Sequence, residues 1–106
     1  MMENEGILSE IESIKKQIIE RYKPDKIILF GSAVGRDRNI NDIDLFIIKK
    51  DVPYYGAERM SELYRLINTC VAVDYIVYKP EEIEECLFLG DPFIKKIFKE
   101  GVVLYG

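Results

Sequence analysis

The sequence predicts a single small α/β domain, a β-sheet flanked by helices. Three observations lead there. Helix-period apolar stripes alternate along the chain with short runs of β-branched and aromatic residues, the order in which α/β folds are assembled. A length of 106 residues suits one domain rather than two. With 48% hydrophobic and 32% charged residues, the chain can bury an ordinary core, though its high surface-to-volume ratio argues against a large enclosed pocket.

The elements follow in order. Ile7, Ile11, Ile14 and Ile18 recur at spacings of four, three and four, with Leu8 and Ile19 widening the stripe, so the first segment is an amphipathic helix ending near Tyr22, before Pro24. Residues 26–30 (KIILF) form an almost wholly apolar run closed by Gly31, a strand buried on both faces. Residues 31–41 (GSAVGRDRNIN) turn polar, as a loop or one helical turn would, before DIDLFII supplies a second strand at 42–48.

Ala57, Met60, Leu63, Tyr64 and Ile67 then line one face of a helix reaching about Asn68. VAVDYIVY, residues 71–78, predicts a third buried strand halted by Lys79 and Pro80. A short helix is expected over Glu81–Leu87. Another is bracketed by Asp91 as N-cap, Pro92 in its first turn and Gly101 at its end, and Val102–Tyr105 adds a final short strand. No internal repeat, low-complexity tract or linker interrupts the series.

Composition removes several kinds of chemistry. The chain has no histidine, which excludes His-based general acid–base catalysis, His-activated nucleophiles and His-containing zinc sites. Fifteen Lys and Arg against 19 Asp and Glu give a formal charge of −4, which argues against direct nucleic-acid binding and favours a basic partner. Cys70 and Cys86 lack C-x-x-C spacing and read as free structural thiols of a reducing compartment. The acidic start MMENEGILSE and the lack of any run of about 18 apolar residues predict a cytoplasmic protein that neither enters nor crosses a membrane.

What remains is carboxylate chemistry. Side chains alternate faces along a strand, so Asp42 and Asp44 project together from the opening of the second strand, while Ile43, Leu45 and Ile47 project from the other face. Asp74 interrupts an otherwise apolar strand in the same anomalous way. Three neighbouring carboxylates in apolar strands repel one another and need a cation. Mg²⁺ suits them, because it takes hard oxygen ligands and is usually completed by substrate phosphates. Two ions about 4 Å apart would serve in-line phosphoryl or nucleotidyl transfer, with the third carboxylate beside the nucleophile. Gly31 would let backbone approach a phosphate closely, Ser32 would offer a hydroxyl and an N–H, and Arg36 and Arg38 could reach a triphosphate. Taken singly, each feature has a structural explanation: a plain turn at Gly31–Ser32, exposed turn carboxylates at Asp42 and Asp44, or an edge residue facing water at Asp74. Their conjunction in this order is the signal.

That conjunction, ILFGSAVGRDRNINDIDLFII followed by VAVDYIVY and ending KEGVVLYG, resembles the minimal nucleotidyltransferase (MNT) group of the DNA polymerase beta-like nucleotidyltransferase superfamily, across the whole chain. The resemblance implies a nucleotidyltransferase fold with a mixed sheet. It also implies the roles: Gly31, Ser32 and Arg36 at the phosphates, Asp42 and Asp44 on the metal, and Asp74 as the third acidic residue that helps activate the acceptor hydroxyl. Gly35 comes early relative to the family pattern, and Asn41 stands where a serine commonly precedes the first Asp. The implied reaction is Mg²⁺-dependent transfer of AMP from ATP. Small members of the group often act as antitoxins that attach AMP to a tyrosine of a HEPN-domain toxin. Two alternatives accompany this reading: an antitoxin that neutralises its partner by contact alone, and a small-molecule nucleotidyltransferase, which would need a further domain. A homo-oligomer or hetero-complex is expected from apolar surface left over on so thin a domain.

Overall fold

A computed structural model of the chain describes residues 2–31 and 42–106. Helix α1 (Met2–Arg21) buries Ile11, Ile14 and Ile18 along the predicted stripe. It stops where Lys23 takes a left-handed backbone conformation (φ 55°) and Pro24 bars continuation. Strands β1 (Lys26–Phe30) and β2 (Asp42–Ile48), helix α2 (Gly56–Leu66), strand β3 (Ala72–Tyr78), helices α3 (Pro80–Phe88) and α4 (Pro92–Glu100) and strand β4 (Val102–Tyr105) complete the chain.

The four strands form one mixed sheet in the order β3-β2-β1-β4. β1 is antiparallel to both β2 and β4, whereas β2 and β3 run parallel, joined by α2 as a crossover. Alternation in the central strands sorts side chains into two cores. Ile27, Leu29, Ile43, Leu45 and Ile47 pack with Val73, Tyr75 and Val77 under α1 and α2. Ile28, Phe46 and Ile48 pack with Ile83, Ile94 and Ile97 under α3 and α4. Helices on both faces explain why β1 and β2 read as continuous apolar runs.

Two expectations are corrected. β3 is an edge strand rather than a fully buried one: its apolar residues answer to helices above and below, and two of its carbonyls are served by α2. The Tyr64 hydroxyl donates to the Val73 carbonyl at 2.9 Å, and Arg59 donates to that of Val77 at 2.8 Å. Such side-chain caps blunt an edge that would otherwise invite strand pairing. α2 ends at Leu66, because Ile67 is already extended, and its buried residues are Arg59 and Leu63 rather than the full predicted stripe. Gly101 ends α4 as expected, in an extended conformation (φ −70°). Glycine is needed there because an added Cβ would lie 2.5 Å from both Ile28 Cγ2 and the Ile97 carbonyl oxygen.

Asp91 caps α4 as expected, accepting from the Phe93 and Ile94 N–H groups. Both cysteines are free. Among the described residues no helix is long and apolar enough to cross a membrane.

Candidate active site

The register of the sheet places the strand carboxylates. Asp44 stands opposite Phe30 of β1 on one side and Asp74 of β3 on the other, and Asp42 stands opposite Ala72. Paired residues of adjacent strands share a face, so Asp42, Asp44 and Asp74 lie on the same side of the sheet as Phe46, Ile48, Ile76 and Tyr78. Helices α3 and α4 cover that side where those apolar residues sit. At the other end of the strands Asp42 and Asp74 are exposed and Asp44 is half-buried, so the carboxylates open onto solvent beside the end of β1.

Among the described residues no cation pairs with the carboxylates at this end. Asp44 is raised above the ordinary carboxyl value, first by burial, then by the negative charge of Asp74 and a hydrogen bond shared with it, and last by the charge of Asp42. The ion pairs among the described residues are Lys15–Glu12 and Arg59–Glu82, neither of which reaches the three aspartates. Gly31 closes the other side with φ 78°, and a Cβ added there would collide with the Asp44 carboxylate. The turn therefore requires glycine for two reasons, its left-handed backbone and the acid lying against it.

This donor set fits a hard divalent cation: carboxylate oxygens that pair with no described cation, one carboxyl raised by its neighbours, in a cradle without a side chain at position 31. Among the described residues no three such side chains already stand in ligating geometry around one point. Asp42, Asp44 and Asp74 could accordingly hold a hard divalent cation that keeps some of its waters, rather than form a closed protein cage.

A stability prediction follows from the sign of the Asp44 shift. A raised carboxyl means that the folded state holds this proton more tightly than the unfolded chain, so ionisation opposes folding. Stability from this group is full below the unfolded value and is lost as pH rises through the folded one. Asp44→Asn should therefore raise Tm at neutral pH in EDTA by about 4 °C, the effect of roughly 1 kcal/mol in a domain of this size. Added Mg²⁺ should stabilise the parent protein more than the variant. Differential scanning fluorimetry reads both, and a variant no more stable than its parent in EDTA would contradict the assigned repulsion.

Of the other residues singled out from sequence, Ser32, Arg36, Arg38, Gly35 and Asn41 lie outside the described residues. Tyr54 and Tyr55 are exposed and pack edge-to-face on each other, with ring centroids 4.9 Å apart.

Two features went unread in the sequence. One is Arg59, the one buried charged residue among those described. Its side chain donates to the carbonyls of Pro53, Tyr54 and Val77 and, in a fork, to both Glu82 carboxylate oxygens. The other is a cavity of about 380 Å³ beside Gly31, lined by Phe30, Phe93, Lys96, Ile97, Glu100 and Gly101. The spacing of Phe93, Lys96 and Glu100 at three and four residues could have signalled a shared helix face.

Comparisons with known proteins agree with this fold. The solved structure of a putative nucleotidyltransferase from Sulfolobus solfataricus is similar to 92% of this chain and 83% of its own, with a TM-score of 0.58 and 25% sequence identity. No curated protein gives a significant match. The pattern of the family described as Polymerase beta, Nucleotidyltransferase matches residues 12–106, from α1 through β4 and across the strands that bear Asp42, Asp44 and Asp74. The chain belongs to that nucleotidyltransferase family.

Proposed function

We propose that this protein transfers AMP from Mg-ATP to a hydroxyl group of a partner protein, a tyrosine of a HEPN-domain toxin, and so acts as its antitoxin. The observation that carries the reading is the juxtaposition of Asp44 with Asp74 beside Gly31, on a face shared with Asp42 and lacking a described cation. Family membership supplies the reaction class.

In this reading Asp42 and Asp44 hold the magnesium ions. Gly31 admits the triphosphate against the backbone, and Ser32 and Arg36 bind its oxygens. Bound magnesium supplies charge neutralisation at the α-phosphate and the pyrophosphate leaving group. Asp74 lies on the exposed flank of the site, where it orients the acceptor hydroxyl and takes its proton. The acceptor oxygen forms its bond to the α-phosphorus as the bond to the bridging oxygen breaks, and pyrophosphate leaves. The open face above β2 and β3 suits an acceptor presented by another protein.

The test incubates the protein with Mg²⁺, ATP labelled at the α-phosphate and the product of the adjacent gene, which this reading expects to be a HEPN-domain protein. The expected result is label on a tyrosine of that partner. Neutralisation of the toxin with no label transferred would overturn the reading in favour of inhibition by contact.

A further inference from the structure

We propose that the cavity between the end of β1 and helix α4 seats the nucleobase of the donor nucleotide and selects adenine; this rests on the nucleotidyl-transfer reading above. Its position is the first argument. Gly31 lines the cavity and also lies against the Asp44 carboxylate, so the cavity begins within one residue of the proposed phosphate seat. A triphosphate held at Gly31 and Asp44 carries the rest of its nucleotide into this space.

Its walls are the second argument. Phe30 and Phe93 meet edge-to-face, with centroids 5.9 Å apart and rings at 85°, which leaves aromatic surface toward the cavity. Phe93 is partly exposed although apolar, and Ile97 forms the buried floor. A planar base stacks on such surface with favourable energy. A volume of about 380 Å³ falls within the range of small-molecule sites, and the two-ring purine system fills it better than a pyrimidine does.

The rim is the third argument. Lys96 only donates and Glu100 only accepts, and although they are four residues apart on α4 they form no ion pair with each other. The adenine edge pairs with both, its exocyclic amine donating to Glu100 and a ring nitrogen accepting from Lys96. These two side chains thus favour adenine over guanine, while the phenylalanines hold the base and the size of the cavity favours two rings over one.

Calorimetric titration with ATP, GTP, CTP and inorganic tripolyphosphate in Mg²⁺ tests the assignment, CTP probing ring size and GTP the rim. ATP should bind more tightly than CTP, and CTP more tightly than tripolyphosphate. Phe93→Ala should weaken ATP binding about tenfold or more and leave tripolyphosphate within about twofold, since a stacked base is lost and the phosphate contacts are not. Lys96→Met and Glu100→Gln alter exposed side chains that do not support the core, and each should narrow the preference for ATP over GTP, whose base carries a carbonyl and a ring N–H where adenine carries the amine and the accepting nitrogen. Equal affinity for ATP and tripolyphosphate, or an ATP preference untouched by all three substitutions, would overturn the base seat. Asp44→Asn separates the two readings: triphosphate binding lost in that variant but indifferent to α4 leaves nucleotidyl transfer standing and removes only the purine pocket. No triphosphate binding by the parent protein removes both.

Discussion

Asp44→Asn and Asp74→Asn should each lower the rate of label transfer by about 10³-fold or more, the order of loss expected when a metal ligand or the proton acceptor is removed. The two substitutions fail for different reasons. Asp44 is the central member, pressed between Gly31, Asp42 and Asp74, so its amide withdraws the charge that binds the ions. Nucleotide affinity should fall along with the rate. Asp74→Asn removes the proton acceptor at the exposed flank, and single-turnover measurements should show a slower chemical step with smaller change in nucleotide binding. Because Asp44→Asn also relieves repulsion, it should be the more stable and less active protein, a combination that damage to the fold cannot produce. Near-parental transfer rates in either variant would contradict the assignment.

Arg59→Met should destabilise the fold by about 2–3 kcal/mol, somewhat less than for a fully buried pair, because the Glu82 side chain is 34% exposed. The substitution strands the carbonyls of Pro53, Tyr54 and Val77 together with the Glu82 carboxylate, and it unties the α2–α3 side of the sheet. Arg59→Lys should recover little, since an ammonium cannot reproduce a fork that reaches both oxygens of Glu82.

The pair also predicts a pH dependence. The hydrogen bond from Arg59 holds Glu82 below the usual carboxyl range, so its stabilisation is full above the unfolded value and is lost as pH falls through the lower folded one. Urea titrations of parent and variant should therefore converge in acid and diverge at neutral pH. Arg59 serves the Val77 end of β3, away from Asp74, so folded Arg59→Met should keep its rate of transfer.

The fold was legible because its determinants are local. Ile7 to Ile18 keep a helical period, KIILF and DIDLFII announce strands covered on both sides, and Asp91-Pro92 marks a helix start. The carboxylate trio was legible because an acid inside an apolar strand has few structural uses, and because Asp42 and Asp44 are two residues apart.

Strand neighbours are another matter. VAVDYIVY has the composition of an inner strand, yet β3 lies at the edge, a fact set by the crossover and by contacts distant in sequence. Arg59 was missed for the same reason. Its partners lie in the 53–54 loop, on β3 and on α3, and in a single sequence an arginine within a helix reads as a solvated residue. Gly31 was read as making room for phosphate, and the Asp44 carboxylate lying against it became visible only through the β1–β2 register.

Crystals grown with Mn²⁺ and a non-hydrolysable ATP analogue provide the most direct measurement, because anomalous scattering locates the ions without reference to turnover. The account predicts manganese bound by carboxylate oxygens of Asp42 and Asp44, with Asp74 beside it and the triphosphate passing along Gly31. Manganese bound elsewhere, with Asp44 and Asp74 left sharing a proton in the presence of the nucleotide, would contradict it.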